Sequence, residues 1–372
     1  MNQIIFLFLN LFLFIILTAK ISIAQNLLNQ PESAEYDYKK ERYLISNYGD
    51  GNIIQIDKDG NQSYFDTTLT QICALHIVGD TLYVASSKEP YVGVVGYNLS
   101  TDQLILFIGI PGNGLLNDIT SDLSGNLYVT DYYDSKIYKL NTGDLDCSIL
   151  TGSKLNMPNG IVFDNENNRI ITHSNNEIHY PIKTVNPQTG EVNFLVNTNL
   201  GSLDGLVFDN AGYFYFSTWV NNSIYRYDKY FQNPPDKISS GHDGPADIFF
   251  NKYKSEIAVP NFYSNTVDII PITTTSINEK SANIKNCNLY SLNYPNPFNA
   301  ETNIMYHLKE SSRVKIDIYN SIGERIQNLI DRDQAVGEHI VKWNANSFPS
   351  GHYFYSITGN NFTFYQGMLL IK

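Results

Sequence analysis

Short apolar segments recur along the first three quarters of the chain, each closed by an Asp-containing turn and followed by a second segment of aromatic and β-branched residues. GLVFDNAGYFYFS (205–217), GIVFDNENNRIIT (160–172), DITSDLSGNLYVT (118–130) and AEYDYKKERYLIS (34–46) align on this pattern. Weaker copies stand at CALHIVGDTLYVA (73–85) and ADIFFNKYKSEIAV (246–259). The short runs and turn residues predict strand–turn–strand units, and NIIQID (52–57), KIYKLN (136–141) and SIYRYD (223–228) alternate as third strands should. Six copies at steps of roughly 40–45 residues match the period of a β-propeller built from four-stranded blades. The sixth copy has room for three strands before residue 272. Residues 25–31 are therefore expected to help close the ring.

The pattern is lost over residues 273–290, which read as a linker. Beyond it, alternation at Val314, Ile316 and Ile318, and again over His339–Trp343, predicts a small β-sandwich over residues 291–372. The expected fold is all-β: a six-bladed propeller over residues 25–272 plus this C-terminal sandwich. Residues 4–19 are apolar apart from Asn10, and Ser22-Ile23-Ala24 supplies small residues, so residues 1–24 read as a secretory signal peptide. Three cysteines at long spacings imply neither a disulfide framework nor a zinc site, and Cys73 and Cys147 read as buried strand thiols. The net charge of −12 argues against nucleic acid and anionic membrane as partners.

Four motifs in order, YPNPFN (294–299), SIGERI (321–326), SGHYFY (350–355) and the terminal MLLIK (368–372), resemble the C-terminal sorting domain of type IX secretion. The resemblance implies a Gram-negative protein that crosses to the periplasm and is then carried over the outer membrane. The secretion machinery would be its partner through residues 291–372. In that family the domain is usually removed, with the cargo released or attached to surface polysaccharide.

Candidate chemistry emerges from the repeats themselves. Asp204 stands five places before the turn aspartate Asp209; the same count from Asp164 reaches Asn159, from Asp122 Asn117, and from Asp37 Glu32. The second repeat offers only Ile72-Cys73 at this point, and the sixth Ala246-Asp247. Innermost strands line a propeller's channel, so Glu32, Asn117, Asn159 and Asp204 are expected to face one another around its mouth. Two carboxylates and two carboxamides form a hard-oxygen set suited to Ca²⁺, Mg²⁺ or Mn²⁺. The competing reading has each side chain only bonding the backbone at a strand start. The histidines His76, His173, His179 and His242 show no ligand spacing and read as surface or strand residues, with His242-Asp243 nearest a channel-mouth position. Trp219, Tyr132 and Tyr133 follow second strands and are candidates to wall a pocket.

PESAEYD (31–37), LNDITSD (116–122), PNGIVFD (158–164) and LDGLVFDNAG (203–212) resemble the SMP-30/gluconolactonase family of six-bladed propellers, over roughly residues 30–272. The resemblance implies one divalent cation held by Glu32, Asn159 and Asp204, Ca²⁺ foremost with Mg²⁺, Mn²⁺ or Zn²⁺ as alternatives, and contact between Asn117 and the substrate. The first function hypothesis is a metal-dependent hydrolase of a lactone or related ester, in which Asp204, as a ligand on the channel floor, also accepts the proton of the bound water. Sugar-lactonase members carry an arginine two places before the motif asparagine, where this chain has Leu115. The alternative function is a non-catalytic binding or scaffold propeller whose ion is structural.

Overall fold

The computed structural model describes residues 25–272 and 290–372, apart from 113, 153, 295–297, 309, 322 and 361. The proposed signal peptide and nearly all of the linker lie outside the described residues. Six antiparallel sheets follow one another along the chain as blades, over residues 31–66, 72–109, 116–151, 161–197, 203–240 and 249–271. The first five have four strands and the sixth has three, each pairing only with its sequence neighbours. The turn aspartates sit where the repeat placed them. Asp122 Oδ1 accepts from the Ser124 and Asn126 amides at 2.9 Å, and Asp209 Oδ1 accepts from Ala211 and Tyr213 at 2.8 and 2.9 Å. These bonds fix the tight turn between first and second strands.

The core of the propeller is divided among the seams between blades. Leu44 and Ile53 of the first blade pack with Leu82, Val84 and Val95 of the second. Tyr128 and Ile137 of the third pack with Ile161, Phe163 and Ile170 of the fourth. The seam between the last and first blades is small: Ala258 against Leu28, Ala34, Ile45 and Ile54. Polar contacts reinforce it. Ser33 bridges Asp247 as a short parallel pairing, the Asp247 amide donates to Glu32 O at 2.8 Å, and Ser33 Oγ donates to Asp247 Oδ2 at 2.6 Å. Residues 25–30 do not add a fourth strand to the sixth blade. They instead strap its last turn, with the Gln30 amide donating to Asn265 Oδ1 at 2.7 Å and Asn26 Nδ2 to Asn265 O at 2.9 Å.

The C-terminal unit is a β-sandwich. A three-stranded sheet (Tyr290–Tyr294, Glu301–Leu308, Gly337–Asn344) faces a four-stranded one (Arg325–Gln334, Ser312–Tyr319, Gly351–Thr358, Thr363–Leu370). Val314, Ile316, Ile318, Trp343 and Tyr355 are fully buried between them, as the alternation predicted.

Candidate functional site

The inner strands carry a device that a strict two-residue period does not foresee. In the first blade, Pro31 pairs with Asn47 and Ala34 with Ile45, so Glu32 and Ser33 together oppose the single residue Ser46. The same bulge leaves Cys73-Ala74, Asn117-Asp118 and Asp204-Gly205 unpaired in the second, third and fifth blades. Asn159-Gly160 occupy the same point just before their strand, Ile161–Asp164. A bulge breaks the alternation and re-aims side chains, a device common beside functional sites.

In the first, third and fifth blades the residue opposite the bulge stitches neighbouring blades, whereas the second has Ala85 there. Thr130 Oγ1 accepts from the Asp118 amide at 3.0 Å and donates to Asn159 O of the next blade at 2.7 Å. Ser217 Oγ accepts from Gly205 at 2.9 Å and donates to Ala246 O at 2.8 Å. Ser46 does the same between Ser33 and Cys73 O. In the fourth blade the position belongs to His173, whose Nε2 lies 3.1 Å from both the Gly160 amide and Asp204 O. Glycine at the second bulge position of the fourth and fifth blades is a packing requirement. A Cβ on Gly160 would stand 2.1 Å from Asp204 O, and one on Gly205 2.1 Å from Ile248 N.

The first bulge residues converge on one cavity of about 310 Å³, lined by Glu32, Cys73, Asn117, Asn159 and Asp204. Glu32 is 6 % exposed, Asn117 6 %, Asn159 8 % and Asp204 3 %. Its walls come from a second repeated position at the end of each second strand, two residues past the one opposite the bulge: Tyr48, Tyr132, Asn175, Trp219 and Phe262. The corresponding residue of the second blade, Ser87, instead accepts from the Leu116 amide at 2.9 Å. Leu115, Ser202 and Leu203 complete the lining.

Asn159 Oδ1 and Asp204 Oδ1 are buried and have no hydrogen-bond partner. Such atoms are rare in folded proteins and point to a missing ligand. Burial raises Asp204 well above the carboxylate range, and the charges of Glu32 and Asp247 add to the rise. Trp219 and Asn159 stand close enough to temper it, but neither completes a hydrogen bond to Oδ1. Glu32 is pushed to about 8, by burial first and then by Asp247 and Asp118. Buried like charges leave one another protonated unless a cation joins them.

Asp118 and Asp247 are the acids at the second bulge position; the five-place count passes over Asp118 and reaches Asp247 only as the neighbour of Ala246. Burial and then Asp247 raise Asp118, although the Ile161 and Ile119 amides bond its carboxylate at 2.7 and 2.6 Å. Asp247 is pushed to about 7 by burial, with the Ser33 hydroxyl opposing. Among the described residues, no group of three His, Cys, Asp or Glu side chains could hold a metal ion. A cation here would therefore depend on carboxamide oxygen, which the unpaired Asn159 Oδ1 supplies. The donor set fits a hard divalent cation at Glu32, Asn159 and Asp204.

His173 is the strand residue of the two readings, the last of Arg169–His173; it is fully buried, and burial pushes it down to about 4. His76 faces Glu35 at 3.3 Å and Ser121 at 2.9 Å, and His179 bonds Asn199. His242 does not line the cavity; Nδ1 lies 2.8 Å from Asp268 and Nε2 2.9 Å from Ser239 Oγ. The backbone amides beside this Ser–His–Asp contact, among the described residues 241–244, are already engaged. The Gly241, His242, Asp243 and Gly244 amides already donate to Asn222 and Asn261. Cys73 is buried, as expected, but also lines the cavity, whereas Cys147 is only partly buried.

Residues 30–252 match the family described as SMP-30/Gluconolactonase/LRE-like region, and residues 292–372 match the secretion system C-terminal sorting domain. No curated protein matches the chain in sequence. Among solved structures, a gluconolactonase from Xanthomonas campestris superposes with a TM-score of 0.55 at 12% identity, covering 66% of this chain and 87% of that one. A protein of unknown function from Bacteroides thetaiotaomicron gives 0.55 at 11% identity, over 66% and 70% of the two chains. Hydrazine synthase of Kuenenia stuttgartiensis gives 0.53 at 11%, over 68% and 98%. At such identities the likeness shows the fold alone. The sorting domain marks the protein for type IX secretion, to the surface or outside of a Gram-negative cell, and makes the secretion machinery a partner.

Proposed function

The chain belongs to the SMP-30/gluconolactonase/LRE-like family, and from that premise we propose that it is an exported, divalent-cation-dependent hydrolase of lactones or related esters. The observation that carries the reading is the pair of unpartnered buried oxygens, Asn159 Oδ1 and Asp204 Oδ1, beside Glu32 in an accessible cavity. Glu32, Asn159 and Asp204 would hold the cation, whose chemistry is Lewis-acid polarisation of a carbonyl and acidification of water. Asn117 lines the same cavity from the third blade. Its amide would donate to the carbonyl oxygen and hold the ester where negative charge develops. Asp204, ionised once the cation offsets its neighbours' charge, would accept the proton of the attacking water. The aromatic walls would exclude bulk water from the reacting bond.

The competing function is a binding propeller in which the cation only braces the blades. The cavity beside Asn159 and Asp204 favours the hydrolase, because a bracing ion needs no room for a ligand. The test is hydrolysis of a panel of lactones and aryl esters by the chelated and Ca²⁺-restored protein, wild type beside Asn117→Ala and Asp204→Asn. Cation-dependent turnover lost in Asp204→Asn, with Asn117→Ala lowering kcat while the cation still binds, supports the reading. Cation binding without turnover of any panel member overturns it in favour of the bracing function.

A further inference from the structure

Resting on the ester-hydrolase reading, we propose that the cavity selects an uncharged substrate with an aromatic body and rejects one bearing an anionic group. Four of its five wall positions are aromatic: Tyr48, Tyr132, Trp219 and Phe262. Tyr48, Phe262 and Trp219 form continuous surface, while Tyr132 pairs with Tyr133 at 5.4 Å. Phe262 lies 5.1 Å from Trp219 and 5.7 Å from Tyr48, centroid to centroid, and Tyr263 caps the pair at 5.3 and 5.4 Å. Tyr263 and Tyr133 are each 62% exposed and carry the aromatic surface outward to the rim. Leu115 and Leu203 add apolar area between the rings. Such walls bury ring faces and edges at little conformational cost.

The charges in the lining are all of one sign. Among the described residues, Glu32 and Asp204 are its only ionisable carboxyl groups, and neither lysine nor arginine lines it. A divalent cation would at most neutralise those two, leaving Asp118 and Asp247 buried beneath. A substrate carboxylate or phosphate would therefore lose its hydration without gaining a counter-charge. The polar handles that remain, the Tyr48, Tyr132 and Ser202 hydroxyls among them, are all neutral. Trp219 Nε1 is a donor without a partner, and Asn175 Oδ1 an acceptor without one. Together they suit a neutral oxygen or hydroxyl beyond the reacting carbonyl, and neither supplies a counter-charge to an anion.

Binding can be read separately from turnover by using lactams, which keep the ring and carbonyl but resist hydrolysis. Calorimetric titration of the Ca²⁺-loaded mature chain would compare 5-phenyl-2-pyrrolidinone with its 4-carboxyphenyl counterpart. The expected result is at least tenfold tighter binding of the phenyl lactam in wild type. Phe262→Ala should weaken it about tenfold, and Leu115→Arg should narrow or invert the preference. Equal or tighter binding of the carboxylated lactam by wild type overturns the proposal, as does a folded Phe262→Ala variant with unchanged affinity. If the phenyl lactam binds as expected but no matching lactone is turned over, the hydrolase reading fails while this selectivity stands.

Discussion

Removing divalent cations should make the protein less stable as pH rises through neutrality, the reverse of ordinary carboxylate behaviour. Glu32 moves from 4.5 to about 8 on folding, and Asp247 from 3.8 to about 7. Between these values the unfolded chain has lost the proton and the folded chain retains it. The unfolding free energy therefore falls with pH, by about 1.4 kcal/mol per unit for each group. Taken alone, Glu32 is worth about 5 kcal/mol over its whole range; Asp247 shares the same repulsion, so the two do not simply add. His173 works in the opposite sense. Its folded value of about 4 lies below the 6.5 of an exposed histidine, so stability is lost as pH falls from 6.5 towards 4. The window from pH 6.5 to 8 is thus free of His173 and isolates the acids. Across it Glu32 alone lowers stability by about 2 kcal/mol, roughly 4–8 °C in Tm for a domain of this size. Calorimetric melts of the mature chain in EDTA at pH 6.5, 7.2 and 8.0 measure this directly. Calcium at a hundred times its Kd should add about 2.7 kcal/mol and flatten the slope. Glu32→Gln should raise Tm in EDTA at pH 8 and blunt the calcium response. A Tm that holds or rises with pH in EDTA, or a slope unchanged by Glu32→Gln, refutes the reasoning.

The blade junctions give two further expectations and the sorting domain a third. Gly205→Ala would drive a methyl group into the Ile248 amide; it should cost about 3 kcal/mol or more in urea unfolding and abolish calcium binding by displacing Asp204. Ser33→Ala removes the hydroxyl that serves Asp247 across the smallest seam; a loss of about 1–3 kcal/mol is expected, and deuterium exchange should rise in the first and sixth blades before the third. Deleting residues 292–372 should leave a folded propeller in the periplasm, checked by fractionation and by calcium binding of the retained protein.

The sequence reveals some layers of this site and hides others for a physical reason. Turn aspartates such as Asp209 announce themselves, because only a few side chains cap a tight turn, and counting back from them reaches Glu32, Asn117, Asn159 and Asp204. The same count passes over Asp118, and reaches Asp247 only as the neighbour of Ala246, since a two-residue period sends neighbours to opposite faces. The bulge lets both residues of a pair approach the axis, and nothing in the apolar alternation marks it. A trace was present: Glu-Ser, Asn-Asp, Asn-Gly and Asp-Gly each put a polar or glycine pair where a buried strand would otherwise continue. The hydroxyl twelve or thirteen residues later, Ser46, Thr130 or Ser217, confirms the pairing once the partner amides are known. The cavity wall was legible only in part. Trp219 and Tyr132 stand out by size, but Tyr48 and Phe262 became visible as wall residues only when the second strands were aligned at their ends.

That alignment also explains why chemistry would concentrate on one part of the ring. The second and sixth blades offer Cys73 and Ala246 where the others offer oxygen, and the second blade turns Ser87 to the Leu116 amide instead of walling the cavity. A sixfold architecture with a sixfold set of oxygens could cage an ion completely. Here two blades contribute no oxygen side chain at that level, and the third contributes Asn117 beside Leu115. What distinguishes a reaction site from a brace in such a ring is therefore the blades that withhold a ligand. Restoring an acid at one of them, as in Ala246→Asp, should tighten calcium binding while lowering turnover of any ester substrate. A gain in both would mean that the open side of the ring is not where substrate enters.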